Sequence, residues 1–262
     1  MEIVLERLLP FGVALLWPFC RIFAAFATAP VLGEAMVPMR ARALAALLLA
    51  LVVQPALPPM PAVDPFSFSG IGIVAEQILI GGLLGFVLHL VLAAMLMFGT
   101  LLSSQMGLSM AAINDPVSGH ASDVLSSVMM IVFMLLFFSM DGHLVLVQVL
   151  ARSFAAWPVG AFAFDTDALM QLVFAIGWMF SAALALALPV VFATLVVQVG
   201  LGLLNRAAPS LNLFSLGFSV TTMFGLLLVT LLMPSLPDHY GRMIAHALDL
   251  VDRLAPAAGA AR

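Results

Sequence analysis

The chain has 262 residues, of which 64% are apolar and only 8% charged, and its mean hydropathy is +1.22. An ordinary soluble domain carries about 25% charged residues, so this composition excludes one, and a formal net charge of −4 without a single Lys leaves no basic surface for nucleic acid. The lone Cys20 excludes an internal disulfide and any cysteine-based metal site.

Apolar segments run over 8–29, 43–57, 71–102, 124–140, 144–164, 168–204 and 211–233. Few alternate strictly and most exceed strand length, so each predicts a helix. The first is read as retained. Ala27-Thr28-Ala29 has the look of a cleavage site, but Glu2 and Glu6 precede the apolar run and Pro30 follows it. Breakers separate the segments: Glu34, Pro38, Arg40 and Arg42 in 33–42, then a Pro-rich stretch with Asp64 in 55–70. Asp141-Gly142-His143 predicts a tight turn, and Asp165-Thr166-Asp167 an N-terminal cap. Arg206 and Pro209 mark a further turn at 205–212, and the more polar tail from Pro234 contains a candidate amphipathic helix over 239–254. No unit repeats with a period of 20–50 residues.

The lengths do not suit a plain bundle. As helices, 71–102 would measure roughly 48 Å and 168–204 roughly 55 Å at ~1.5 Å per residue, against a hydrocarbon core ~30 Å thick. Pro189 is expected to kink the longer one. With one crossing per segment, Arg40, Arg42, Arg242, Arg253 and Arg262 fall on one side and Arg7 and Arg206 on the other, which weakly favours the first as cytoplasmic. The same side would hold Asp115, Asp123, Asp165 and Asp167. A chain packed mainly against partner subunits breaks the charge rule in this way.

The stretch 103–123, SSQMGLSMAAINDPVSGHASD, stands apart. Asn114-Asp115-Pro116 and Ser118-Gly119 are turn signals set between apolar helices. Lipid offers irregular backbone no hydrogen bonds, so such a loop is either buried in protein or lines a wet cavity. It is therefore a candidate for lining or blocking a passage. Eight of the 17 Met lie between Met95 and Met140, which fits ordinary core or a soft, adaptable seal. Neither a metalloprotease, a nucleophile-elbow, a phosphate-loop nor a dinucleotide motif occurs, so no enzyme and no cofactor or metal is expected. Arg21, Glu76, His89 and Arg152 are ionisable groups in apolar segments. Structural pairing and an ion relay are both open readings of them, and the relay would make the chain a secondary transporter for a small solute or proton. Gly81 and Gly85, and likewise Gly217 and Gly225, share a helix face and predict close helix packing.

Several of these motifs, in order, resemble the FliR/SctT family, the R-type export-gate subunits of type III secretion. They are Pro30-Val31-Leu32-Gly33 with Val37-Pro38-Met39-Arg40, Gln105-Met106-Gly107-Leu108 with Asp115-Pro116, and Asp141-Gly142-His143 with Ser153-Phe154 and Pro158-Val159-Gly160. Leu188-Pro189, Asn205-Arg206-Ala207-Ala208-Pro209 and Gly217-Phe218 continue the match, which covers nearly the whole chain. The resemblance implies an all-α integral membrane-type protein with long kinked helices inside a helical multi-subunit assembly. P-like helices would span 1–165, a Q-like helical hairpin 166–236 and a polar tail 237–262. The implied partners are P-type and Q-type subunits (FliP, FliQ), a FlhB-like switch subunit, unfolded secreted polypeptide and lipid. The implied place is the flagellar basal body in the bacterial inner membrane, partly raised out of the bilayer. The central loop would help plug the closed pore through Met106, Gly107, Leu108, Met110, Ile113, Asn114, Asp115 and Pro116. Asp141, Gly142, His143, Arg206 and Pro209 would form hairpin turns. An injectisome subunit of the same architecture is the alternative.

Overall fold

The computed structural model describes residues 2–108, 123–160, 166–207 and 213–254, with side chains for all of these except 2–10, 166–169 and 213–216. Among the described residues the chain is helical and contains no strand. In order, the helices are α1 (Glu2–Thr28), α2 (Met39–Val53), α3 (Phe68–Met106), α4 (Val124–Ser139), α5 (Gly142–Ala156), α6 (Thr166–Ala207), α7 (Leu213–Leu232) and α8 (Leu236–Leu254). Short 3-10 turns at Gln54–Ala56 and Met233–Ser235 follow α2 and α7.

Among the described residues five stretches are long and apolar enough to cross a membrane, and six if α4 and α5, bent by 66° at their junction, count as one. The fifth, Gly217–Leu254, joins α7 to the tail helix through the 3-10 turn. The α4–α5 bend falls at Met140-Asp141. Asp141 sits in the left-handed region at φ 57°, and its carbonyl already accepts the amides of Leu144 and Val145. Of the turn expected at 141–143, Asp141 lies at the bend, and Gly142 and His143 lie inside α5.

α3 has 39 residues and α6 has 42, roughly 58 and 63 Å at ~1.5 Å per residue. α3 begins earlier than its apolar run because its start is capped. Asp64 Oδ1 accepts the Phe66 amide at 3.0 Å, and Ser67 Oγ accepts the Gly70 amide at 3.0 Å, which satisfies donors that a helix start leaves open. α6 runs through Pro189 as one continuous helix.

The chain divides into two compact units, and the division falls inside α3, α6 and α8. One unit comprises Met1–Leu90, Met140–Ala175 and His246–Arg262. In it, Trp17, Arg21, Ile22, Ala25, Phe26 and Ala29 make a buried stripe on α1 at helical spacing. The stripe meets α3 at Gly81 and Gly85. A Cβ on Gly81 would overlap the Arg21 carbonyl, and one on Gly85 the Thr28 hydroxyl and the Ala25 carbonyl. Thr28 Oγ1 donates to the Gly82 carbonyl at 2.9 Å across this crossing. α2 rests on α1 through its small residues, burying Ala46 and Ala50 and leaving Leu44, Leu48 and Val52 exposed.

The other unit comprises Val91–Ser139 and Ile176–Ala245. Here α3 and α4 approach at a second glycine. A Cβ on Gly99 would lie 2.6 Å from the Ser126 Cα. Thr100 and Ser126 share a hydroxyl contact of 2.9 Å, and Ser126 Oγ donates to the Leu96 carbonyl at 3.2 Å. Phe133 stacks on Phe137 and meets Tyr240 edge-on at 5.6 Å, which fastens the start of α8 to α4.

Candidate functional site

The polar stretch singled out in the sequence emerges from α3, and the geometry of its base is built from short-range backbone chemistry. Gly107 adopts φ +76°. The Leu108 amide reaches back to the Ser103 carbonyl at 2.9 Å and the Gly107 amide to Ser104 at 3.2 Å, the pairing of a Schellman turn. That turn ends a 39-residue helix at Met106. On the other side of the stretch, Asp123 opens α4. Its carbonyl accepts the Ser127 amide at 3.0 Å, and its carboxylate accepts the Ser126 hydroxyl at 3.4 Å. The buried Ser103 hydroxyl donates to the other oxygen of the same carboxylate. The two ends of 103–123 are therefore tied side chain to side chain.

The end nearer α3 is also held by α6 and α7. Gln198 Nε2 donates to the Gln105 carbonyl at 2.9 Å, and the two side-chain amides meet at 3.3 Å. Thr222 Oγ1 donates to the Met106 carbonyl at 3.3 Å. Met106 is 1% exposed and fills the space that a side chain at Gly225 would need, its sulfur 2.8 Å from the position of a Cβ there. The Phe218 ring lies over Gly107, 3.1 Å from where its Cβ would be. Each carbonyl freed by the end of α3 thus finds a donor, and Asp123 is the one formal charge in the set. Neutral hydrogen bonds of this kind contribute about 0.5–1.5 kcal/mol each. The bond from Ser103 to the charged Asp123 carboxylate is the strongest of the set, at about 1.5–3 kcal/mol.

The structure brings Met106 and Gly107 of the expected plug against Gly225 and Phe218 of α7, and Leu108 closes the turn. Met110, Ile113, Asn114, Asp115 and Pro116 lie outside the described residues, as does Pro209. Gly217 sits 3.8 Å, measured from its would-be Cβ, from the Leu201 side chain on α6, and Arg206 is exposed in the last turn of that helix. Sequence reasoning gave Ser103, Gln105, Asp123, Gln198, Phe218 and Thr222 no anchoring role, although Gln105 and Phe218 stand in the quoted motifs. Asp123 carried a usable signal, an Asp directly before an apolar run.

A second polar cluster lies in the unit that contains α1. Arg21 has no exposed surface. Its Nε donates to Gln77 Oε1 at 2.7 Å, one terminal nitrogen to Ser153 Oγ at 3.1 Å and the other to the Trp157 carbonyl at 2.8 Å. The guanidinium also lies 4.1 Å from the centre of the Phe154 ring. Gln77 Nε2 donates in turn to Glu76 Oε1 at 3.0 Å, which accepts the Gly160 amide at 3.1 Å. Arg21 and Glu76, flagged separately, are one network linking α1, α3 and the end of α5. Arg152 stands on the exposed side of α5, and the His89 Nδ1 atom, although buried, has no hydrogen-bond partner among the described residues. Among the described residues no three His, Cys, Asp or Glu side chains converge as metal ligands.

Residues 13–247 match the family described as bacterial export proteins, family 1. The chain is similar to the flagellar biosynthetic protein FliR of Pectobacterium carotovorum subsp. carotovorum, with 37% identity over 235 residues, 90% of each chain. It is similar to the flagellar biosynthetic protein FliR of Escherichia coli (strain K12), with 34% identity over 251 residues, 96% of each chain. A more distant similarity is to the Yop proteins translocation protein T of Yersinia pestis, with 26% identity over 211 residues, 79% of this chain and 80% of that one.

Proposed function

We propose that this chain, which belongs to the bacterial export proteins, family 1, is the R-type core subunit of a flagellar protein-export gate in the bacterial inner membrane. The family is one of export-gate proteins of type III secretion and is not an enzyme family. In this reading the P-like helices of residues 1–165 and the Q-like hairpin 166–236 assemble with P-type and Q-type subunits around a conduit. A FlhB-like switch subunit adjoins it, and unfolded flagellar proteins pass through. The 103–123 loop helps keep the conduit shut at rest.

One observation carries the gating role: the doubly anchored base of that loop. A plug has to be placed accurately and still give way. Ser103, Asp123, Gln105, Gln198 and Thr222 place it through hydroxyl and amide contacts, and Met106 packs its root against Gly225 without a covalent or strongly ionic tie. No catalytic group is required, because the driving energy is supplied elsewhere in the apparatus.

Identities of 37% and 34% to flagellar relatives, against 26% to the Yop translocation protein, favour a flagellar over an injectisome system. The transporter reading loses its best residue, since each guanidinium nitrogen of Arg21 is already engaged within the chain.

The test is to delete residues 109–118, which leaves the Schellman turn and Asp123 in place. In the assembled gate the deletion should raise the conductance of the membrane to small ions while secretion continues. Resting conductance and secretion both equal to wild type would overturn the plug assignment.

A further inference from the structure

Within the unit that holds Arg21, α5 and α8 enclose a cavity of about 170 Å³ that the export reading does not use. Val145, Val149, Ala156, Trp157, Leu248 and Val251 make its apolar lining. Gln148, Arg152 and Asp252 stand at its rim, and all three are exposed. The sequence dictates this division. On α5, Val145 and Val149 are four apart, as are Gln148 and Arg152, so the apolar and polar pairs form adjacent stripes. On α8, Ala247, Leu250 and Val251 face inward while Asp249, Asp252 and Arg253 face out.

The rim carries two opposite charges that are not spent on each other. Asp249 is taken by Arg253 at 2.5 Å, an i,i+4 pair on α8. Among the described residues neither Arg152 nor Asp252 makes a hydrogen bond or an ion pair. A free cation, a free anion and an amide above an apolar pocket complement a ligand with the inverse layout: an anion and a cation held apart on one head, above an apolar body. An anionic amphiphile would satisfy Arg152 but meet Asp252, and a cationic one would meet Arg152. Trp157, at the end of α5, is a residue type that favours the headgroup level of a bilayer. The flanking helices also form part of stretches long and apolar enough to cross one.

We propose that this cavity binds a zwitterionic phospholipid of the ethanolamine type. Arg152 and Gln148 receive the phosphate, Asp252 receives the ammonium, and one acyl chain runs over Val145, Val149, Leu248 and Val251. The site is independent of the loop assignment.

The test uses the chain in the export-gate complex extracted in mild detergent, exposed to equal amounts of phosphatidylethanolamine and phosphatidylglycerol, with retained lipid counted by native mass spectrometry. Wild type should hold the ethanolamine lipid over the glycerol lipid by about fivefold, the discrimination expected of one partly solvated ion pair. Arg152→Gln should lower retention of both. Asp252→Asn should remove the preference, because both headgroups carry one phosphate and only the ethanolamine one carries the ammonium that Asp252 receives. Both side chains are exposed, so circular dichroism should be unchanged in the two variants. Ala156→Phe fills the cavity and should abolish retention at this site. Equal retention of the two lipids in wild type, or a preference that Asp252→Asn does not move, would overturn the proposal. So would a photo-crosslinker at Gln148 in the assembled complex that captured a partner polypeptide instead of lipid.

Discussion

Arg21 is a guanidinium with no exposed surface, held by three acceptors and an aromatic face. Moving such a group out of water is costly unless its donors are satisfied and a counter-charge is near. Here the counter-charge is Glu76, reached through the Gln77 amide. The fork shape of the side chain matters as much as its charge, because Nε and the two terminal nitrogens point to three different elements. Arg21→Lys keeps the charge but offers a single nitrogen, which leaves Gln77 Oε1 or the Trp157 carbonyl buried without a donor. The expected loss is about 3 kcal/mol, the upper range for hydrogen bonds to a charged group, read as a lower thermal midpoint of the chain in its detergent-extracted complex. A midpoint equal to wild type would show that the network does not hold the helices. The sequence identified Arg21 and Glu76 as ionisable groups in apolar segments but left pairing and relay open. The partners were not legible because they lie 56, 132 and 136 positions from Arg21, far beyond any local period.

Helices were legible where apolarity is dense, and their ends were not. The apolar run of α3 stops at Leu102, yet the helix continues to Met106, because backbone hydrogen bonds propagate until Gly107 supplies a left-handed residue. Its start was missed for the converse reason: the Asp64 and Ser67 caps extend the helix beyond its apolar segment. Among the described residues the seven apolar segments became five span-length stretches plus one bent pair, since α4 and α5 are each short. Small-residue patterning was only partly read. The Gly81–Gly85 pair has the recognisable four-residue spacing, but Gly99, which approaches Ser126 just as closely, has no partner glycine on its face. A substitution at Gly99 therefore separates backbone contact from helix propensity. Gly99→Ala would drive a Cβ into the α4 backbone and should destabilise by about 1–3 kcal/mol, the range for overpacking. Gly82→Ala, on the same helix with nothing within 4 Å of its Cβ, should be neutral or gain up to ~1 kcal/mol from propensity. Thermal midpoints of the two variants measured side by side check this, and equal shifts would show that α3 and α4 do not rely on the close approach.

At the scale of the whole molecule, the decisive quantity is length against bilayer thickness. On α6 the exposed apolar residues run from Met170, 54% exposed, through Phe180 and Phe192 to Leu203, 65% exposed. The distance from first to last is roughly 50 Å along a straight helix. That contour exceeds the ~30 Å hydrocarbon core. Hydrocarbon alone cannot cover the face, and water is a poor solvent for it, so other polypeptide has to cover some of it. The same argument explains why charge counting along the sequence gives a contradictory topology, with Asp residues on the side richer in Arg: the positive-inside rule is written for loops between helices that fit the bilayer. A protein built this way should not be stable as an isolated carrier. Co-expressed with the other export-gate subunits and extracted in mild detergent, the chain should be recovered in a mixed complex whose native mass is not a whole multiple of 27.7 kDa. Expressed alone, it should aggregate or lose α6 to proteolysis. A well-behaved monomer or homodimer recovered from the co-expressing cells, free of other subunits, would mean that the exposed length of α6 is covered by lipid or by a second copy, and would return the transporter reading to first place.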